Sequence, residues 1–131
     1  MRAIRHSVWL GLAILMTTAA GCQSRLNVQK SYRLQPGEIQ SIEIDPPRYE
    51  QRVTVAIDAD APVTVAVFLK KDAESVERSL TTGNKPANAL ALWNGDSAGS
   101  VEATVPAKER AVVRVESAQK TANVTLKVTG K

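Results

Sequence analysis

The chain has 131 residues, with one cysteine, one histidine, and 17 Lys and Arg against 13 Asp and Glu, for a formal net charge of +4. A single cysteine excludes an intrachain disulfide framework, and the basic residues are dispersed, with Lys70-Lys71 the longest run, so no stripe of the kind nucleic-acid binders use is present. At 44% apolar composition this length suits one domain with its own core.

The first stretch, Met1 to Cys22, reads MRAIRHSVWLGLAILMTTAAGC. Arg2 and Arg5 open it, an apolar run follows from Val8 to Met16, and Thr18-Ala19-Ala20-Gly21 leads to the cysteine. That order is a secretory signal peptide. The widest apolar span, Val8 to Ala20, falls short of the roughly 20 residues needed to cross ~30 Å of hydrocarbon, so a permanent transmembrane helix is not expected. Instead, a helix over residues 4–20 is expected before cleavage. Loss of Arg2 and Arg5 takes the formal net charge from +4 to +2.

The ending Ala19-Ala20-Gly21-Cys22 resembles the bacterial lipobox, with Ala19 where that motif prefers leucine. The resemblance implies that Cys22 is lipidated on sulfur and becomes the new N-terminus. A second acyl chain is what turns marginal membrane binding into a stable anchor. Gln23 stands where an aspartate would imply inner-membrane retention in a Gram-negative envelope. For a chain from such an envelope the resemblance therefore implies an outer-membrane lipoprotein facing the periplasm; the envelope type itself is not given by the sequence. The expected organisation is a cleaved signal peptide over 1–21, a lipidated cysteine and tether over 22–27, and a domain over 28–131. Five residues, Gln23 to Asn27, reach at most ~17 Å, which keeps the domain close to its own membrane.

From Val28 onward, short runs of Val, Ile, Thr and Ala are separated by turn residues, the pattern of antiparallel strands in a sandwich or barrel. Strands are predicted over Val28 to Leu34, Gln40 to Asp45, Gln51 to Ala59 and Val63 to Lys70. The last two alternate cleanly, with Val53, Val55 and Ile57 on one face of the first and Val63, Val65, Val67 and Leu69 inward on the second. With Asp60-Ala61-Pro62 between them, they read as the clearest hairpin in the chain. The six prolines, at 36, 46, 47, 62, 86 and 106, all fall between the predicted strands, where a residue without an N–H belongs.

Between Asp72 and Asn88 the alternation lapses. A short helix is predicted from Ala73 to Leu80, with Asp72 as its N-cap and Val76 and Leu80 one turn apart on one side. Further strands are predicted over Ala89 to Trp93, Ser100 to Val105, Ala111 to Ser117 and Asn123 to Thr129. The resulting fold class is all-β: a two-sheet antiparallel β-sandwich of about eight strands, jelly-roll-like, with one short helix. Tyr32, Leu34 and Gly37, the Val-Thr-Val strand and the final valine-alternating strand are together similar to the prepeptidase C-terminal modules of secreted bacterial proteases, which implies an accessory, non-catalytic sandwich.

Catalytic constellations fail on inventory. His6 leaves with the signal peptide and Cys22 is committed to lipid, so triads and His-containing metal sites have no members in the mature chain. Asp58 and Asp60 sit near Asp96 or Glu74 only if the fold brings them together, and no contiguous calcium loop is present; no metal or cofactor is assigned. The few aromatics are more informative. If Val63, Val65, Val67 and Leu69 face the core, Ala66 and Phe68 face away, and if Leu90 and Leu92 face the core, Ala91 and Trp93 face away. Phe68, Trp93, Ala66 and Ala91 thus form a possible binding face, unless the 72–88 segment covers it. The expected function is a lipid-anchored, non-catalytic envelope module that binds or scaffolds a protein or glycan at the membrane surface. The alternative is a carbohydrate-binding module stacking sugar on Trp93, and an enzyme is the least favoured class.

Overall fold

A computed structural model describes residues 26–131 and turns the alternating runs into eight strands. They are β1 (Asn27–Leu34), β2 (Ile39–Ile44), β3 (Gln51–Ala59), β4 (Val63–Leu69), β5 (Ala91–Gly95), β6 (Ala98–Val105), β7 (Ala111–Ser117) and β8 (Ala122–Gly130). A 3-10 turn at Lys70–Asp72 leads into one helix, α1 (Ala73–Thr81). The signal-peptide helix expected over 4–20 and the lipidation residue Cys22 lie outside the described residues.

The strands form two four-stranded sheets, ordered β1-β8-β3-β6 and β2-β7-β4-β5, with every pairing antiparallel. Every connection except β4 to β5 passes from one sheet to the other, which is the double-sheet jelly-roll architecture. The hairpin expected between β3 and β4 is therefore corrected. β3 pairs with β6 and β8, while β4 pairs with β5 and β7. Two alternating strands joined by a short proline-containing turn can lie side by side or face to face, and here the second arrangement buries both apolar faces against each other. Asp60-Ala61-Pro62 is a corner between sheets.

Between the sheets lies a core of mostly branched aliphatic side chains, with Leu34, Val55, Val65, Val113 and Leu126 fully buried. Burial of each such side chain contributes about 1.5–3 kcal/mol. A second, smaller cluster sits on the outer face of the β2-β7-β4-β5 sheet, where Ala66, Phe68 and Val112 meet Val76 of α1. That sheet is consequently buried on both sides, and among the described residues the other is covered on its core side only.

Helix α1 owes little to its ends. Asp72 occupies the N-cap position as expected, but its side chain makes no capping hydrogen bond, a correction to the expected role. A helix this short depends on packing, supplied by buried Val76 and half-buried Leu80. On the edge strand β1, Lys30 pairs in register with buried Leu126 and so lies on the core-facing side, yet it stays exposed. An inward-directed lysine of this kind keeps an edge strand from pairing with another chain.

Candidate functional site

The four residues expected to form one binding face do not share a face. Register pairs Val65 with Trp93, Val67 with Ala91 and Ala66 with Leu92. Antiparallel partners point to the same side of a sheet, so Trp93 and Ala91 turn toward the core and Ala66, Phe68 and Leu92 turn toward α1. The parity expected for β5 is thus reversed, with Leu92 outward and Trp93 inward. Phe68 is 2% exposed and Ala66 fully buried beneath the helix, which is the covering arrangement weighed above.

Trp93 is half-buried against the main core. Its indole lies across two glycines: a Cβ at Gly99 would stand 2.5 Å from Nε1, and one at Gly95 would stand 2.5 Å from Cζ2. Gly95 is on the same strand, whereas Gly99 belongs to β6, the edge of the opposite sheet. The ring therefore closes the side of the sandwich where the β5 and β6 edges meet, and the two missing Cβ atoms are what let it lie flat there.

Sequence reasoning passed over Arg114, the one charged side chain in the middle of the apolar strand β7. It is 2% exposed. Its guanidinium meets Glu77 of α1 at two points, Nε to Oε1 at 2.5 Å and Nη2 to Oε2 at 3.1 Å, and its Nη1 donates to Glu116 at 2.8 Å. A planar fork binding one carboxylate at both oxygens is the geometry arginine supplies and lysine does not. The isolated arginine within Val112-Val113-Arg114-Val115 was the available signal, since a buried charge demands a partner. It fixes the helix to the sheet and is a structural element.

A groove of about 760 Å³ opens between the C-terminal end of α1, the loop that follows it and the β4-β5 edge. Leu80, Leu90 and Leu92 supply apolar walls, while Thr64, Asn84, Lys85 and Asn94 supply polar groups. Its shape is set locally. Gly83, at φ 77°, ends the helix in the left-handed conformation that favours glycine, and the following N–H of Asn84 donates to the Ser79 carbonyl at 2.8 Å. Leu90 N–H donates to the Val67 carbonyl at 2.7 Å, which returns the loop to the sheet. Across the strands, the Thr64 hydroxyl donates to Asn94 Oδ1 at 2.6 Å.

The carboxylates considered for calcium are not gathered. Asp60 turns to β8, accepting hydrogen bonds from Asn123 Nδ2 at 2.8 Å and from the Asn123 backbone N–H at 2.7 Å. These bonds, side chain first, hold its pKa below the ordinary aspartate value, with Arg33 adding a smaller electrostatic contribution. Glu74 lies on α1, over the other sheet. Among the described residues, no three His, Cys, Asp or Glu side chains are grouped to hold a metal ion.

No family model matches the chain, and no curated protein matches it in sequence. Solved structures share its fold. PliG of Aeromonas hydrophila, a periplasmic inhibitor of g-type lysozyme, superposes with a TM-score of 0.56 at 15% identity, over 85% of this chain and 90% of that one. The Yersinia pseudotuberculosis-derived mitogen superposes with a TM-score of 0.55 at 10% identity, over 81% of this chain and 86% of that one. At these identities the likeness is one of fold.

Proposed function

We propose that this chain is a lipid-anchored, non-catalytic binding module of the cell envelope, tethered through Cys22 to the periplasmic face of the outer membrane, and that it grips a protein partner in the groove beside the 82–90 loop. The observation that carries the reading is the character of that groove: leucine walls with a polar rim, on a fold whose two apolar clusters among the described residues are buried. Among the described residues no aromatic side chain lines it, so sugar stacking finds no platform among them. Trp93, the residue on which the glycan alternative depended, is engaged with Gly95 and Gly99.

The lipid anchor is supported by the order of charges, apolar run and small residues before Cys22. Use of the same fold by a periplasmic inhibitor of another protein supports a protein partner and an envelope location. The test is recovery of the lipidated protein from native membranes after crosslinking, in wild type and in a Lys85→Glu, Ala89→Arg variant altered only at the groove rim. A reproducible protein companion that the variant loses, at unchanged melting temperature, is the expected result. A companion retained by the variant would remove the groove from the account, and polysaccharide in place of protein would replace the partner class.

A further inference from the structure

We infer that the end of the sandwich where the described chain begins rests on anionic phospholipid headgroups, through Arg48, Tyr49 and Lys108. This builds on the lipid-anchor reading of Cys22 and adds the orientation of the domain on the bilayer. Topology supplies the first argument. The Gly130 N–H donates to the Leu26 carbonyl at 3.1 Å, and the Lys131 N–H donates to the Arg52 carbonyl at 3.0 Å, so the chain enters beside the start of β3. The segment Asp45 to Glu50 runs directly into β3 and shares that end. Cys22 precedes Leu26 by a stretch that reaches ~14 Å at most. A bilayer holding Cys22 therefore faces this end.

Exposure supplies the second. Tyr49 is 80% exposed, whereas Ile39, the other exposed large hydrophobic among the described residues, is 43% exposed. Its loop is not free to fold the ring away: Pro46 and Pro47 restrict the backbone, and the Lys108 N–H donates to the Pro47 carbonyl at 2.7 Å. Lys108 itself takes the left-handed conformation, φ 66°, in making that contact. An aromatic ring with a hydroxyl tip, held outward beside an arginine, is the residue type that settles at a membrane interface.

Charge supplies the third. At this end Lys70 pairs with Glu43, Lys71 with Glu109 and Arg110 with Asp45. Arg48, Arg52, Lys108 and Lys131 make no ion pair among the described residues, while the acids left unpaired there are Glu50, Asp72 and Glu102, the last lining one hollow with Leu26, Arg52 and Lys131. Four unpaired basic groups against three acids leave one positive charge, and with Glu102 beside Arg52 and Lys131 it is Arg48 and Lys108 that are left to complement an anionic leaflet and add to the hold of the lipid. The partner groove, at the C-terminal end of α1, is left toward the opposite end of β4.

The experiment uses the lipidated mature protein in vesicles of phosphatidylcholine and brominated phosphatidylglycerol. Once the signal is removed, Trp93 is the sole tryptophan, and its place between the sheet edges keeps it away from lipid as an internal reference. A Tyr49→Trp variant is expected to lose emission roughly two-fold on bromination, as an interfacial indole does, and adding Arg48→Glu and Lys108→Glu is expected to restore it while flotation persists. Flotation with no quenching in Tyr49→Trp would overturn the orientation and leave the anchor intact. Failure to float, with the Cys22 thiol titratable, would overturn the anchor and this inference with it.

Discussion

Arg114 on β7 holds Glu77 on α1 by two ion-paired hydrogen bonds, at 2.5 and 3.1 Å, and this clasp joins α1 to the sheet it covers. The two residues are not equally committed: Arg114 is 2% exposed and Glu77 is 43% exposed. Removing the carboxylate leaves a buried guanidinium with Glu116 as its remaining partner, whereas removing the arginine returns both carboxylates to water. Glu77→Ala is therefore expected to cost about 2–3 kcal/mol, and Arg114→Met about 1 kcal/mol or less. Urea denaturation of the two variants checks the order, and equal losses would show that the clasp contributes through packing alone.

Trp93 and Gly99 are expected to behave as one unit. Trp93→Ala empties the closure between β5 and β6, at a cost of about 3 kcal/mol. Gly99→Ala drives a methyl group into the indole and costs about 1–3 kcal/mol. In the double variant the methyl meets no ring, so the losses are expected to be strongly non-additive. Thermal denaturation of the three proteins decides it, and additive losses would mean that the ring is not seated on the glycine. A sugar-stacking role for Trp93 predicts instead lost glycan retention at unchanged stability.

Asp60 and Glu38 supply an acid-sensitive contribution. Both carboxyls have pKa values below their ordinary ones, Asp60 through Asn123, and Glu38 through the Gln35 backbone N–H and then Gln40. A depressed folded-state pKa means that the unfolded chain binds protons first as pH falls. The stabilisation is thus complete above the unfolded values, near pH 4, and is lost as pH drops through the lower folded ones. Stability is expected to fall with acid below about pH 4, less steeply in Asp60→Asn. Unfolding free energies measured across that window check the slope, and identical slopes in the two proteins would exclude Asp60 as a contributor.

Cys22→Ala is expected to move the protein from the detergent phase to the aqueous phase, or to leave the signal peptide uncleaved. Phase partition and the mature N-terminus are the measurements. Normal cleavage with unchanged membrane partition would remove the lipid anchor from the account.

Period-two alternation was enough to locate the strands. Val53, Val55 and Ile57, like Val63, Val65 and Val67, announce a face to be buried, and the prolines mark where strands stop. The two-sheet architecture follows, because half-apolar strands of this number need a second layer. Which strands are neighbours is a different matter, since alternation specifies a face and not a partner: β3 and β4 satisfy their pattern as well across the core as they would in a hairpin. For β5 even the face was undetermined. Ala89-Leu90-Ala91-Leu92-Trp93 is apolar at both parities because its sheet is buried on one side by the core and on the other by α1, and a strand covered twice carries no alternation to read. Only the register with β4 turned Trp93 inward onto Gly99 and Leu92 outward, and only the packing of the helix made Arg114 a buried charge with a partner, because both depend on residues far apart in the chain meeting in space.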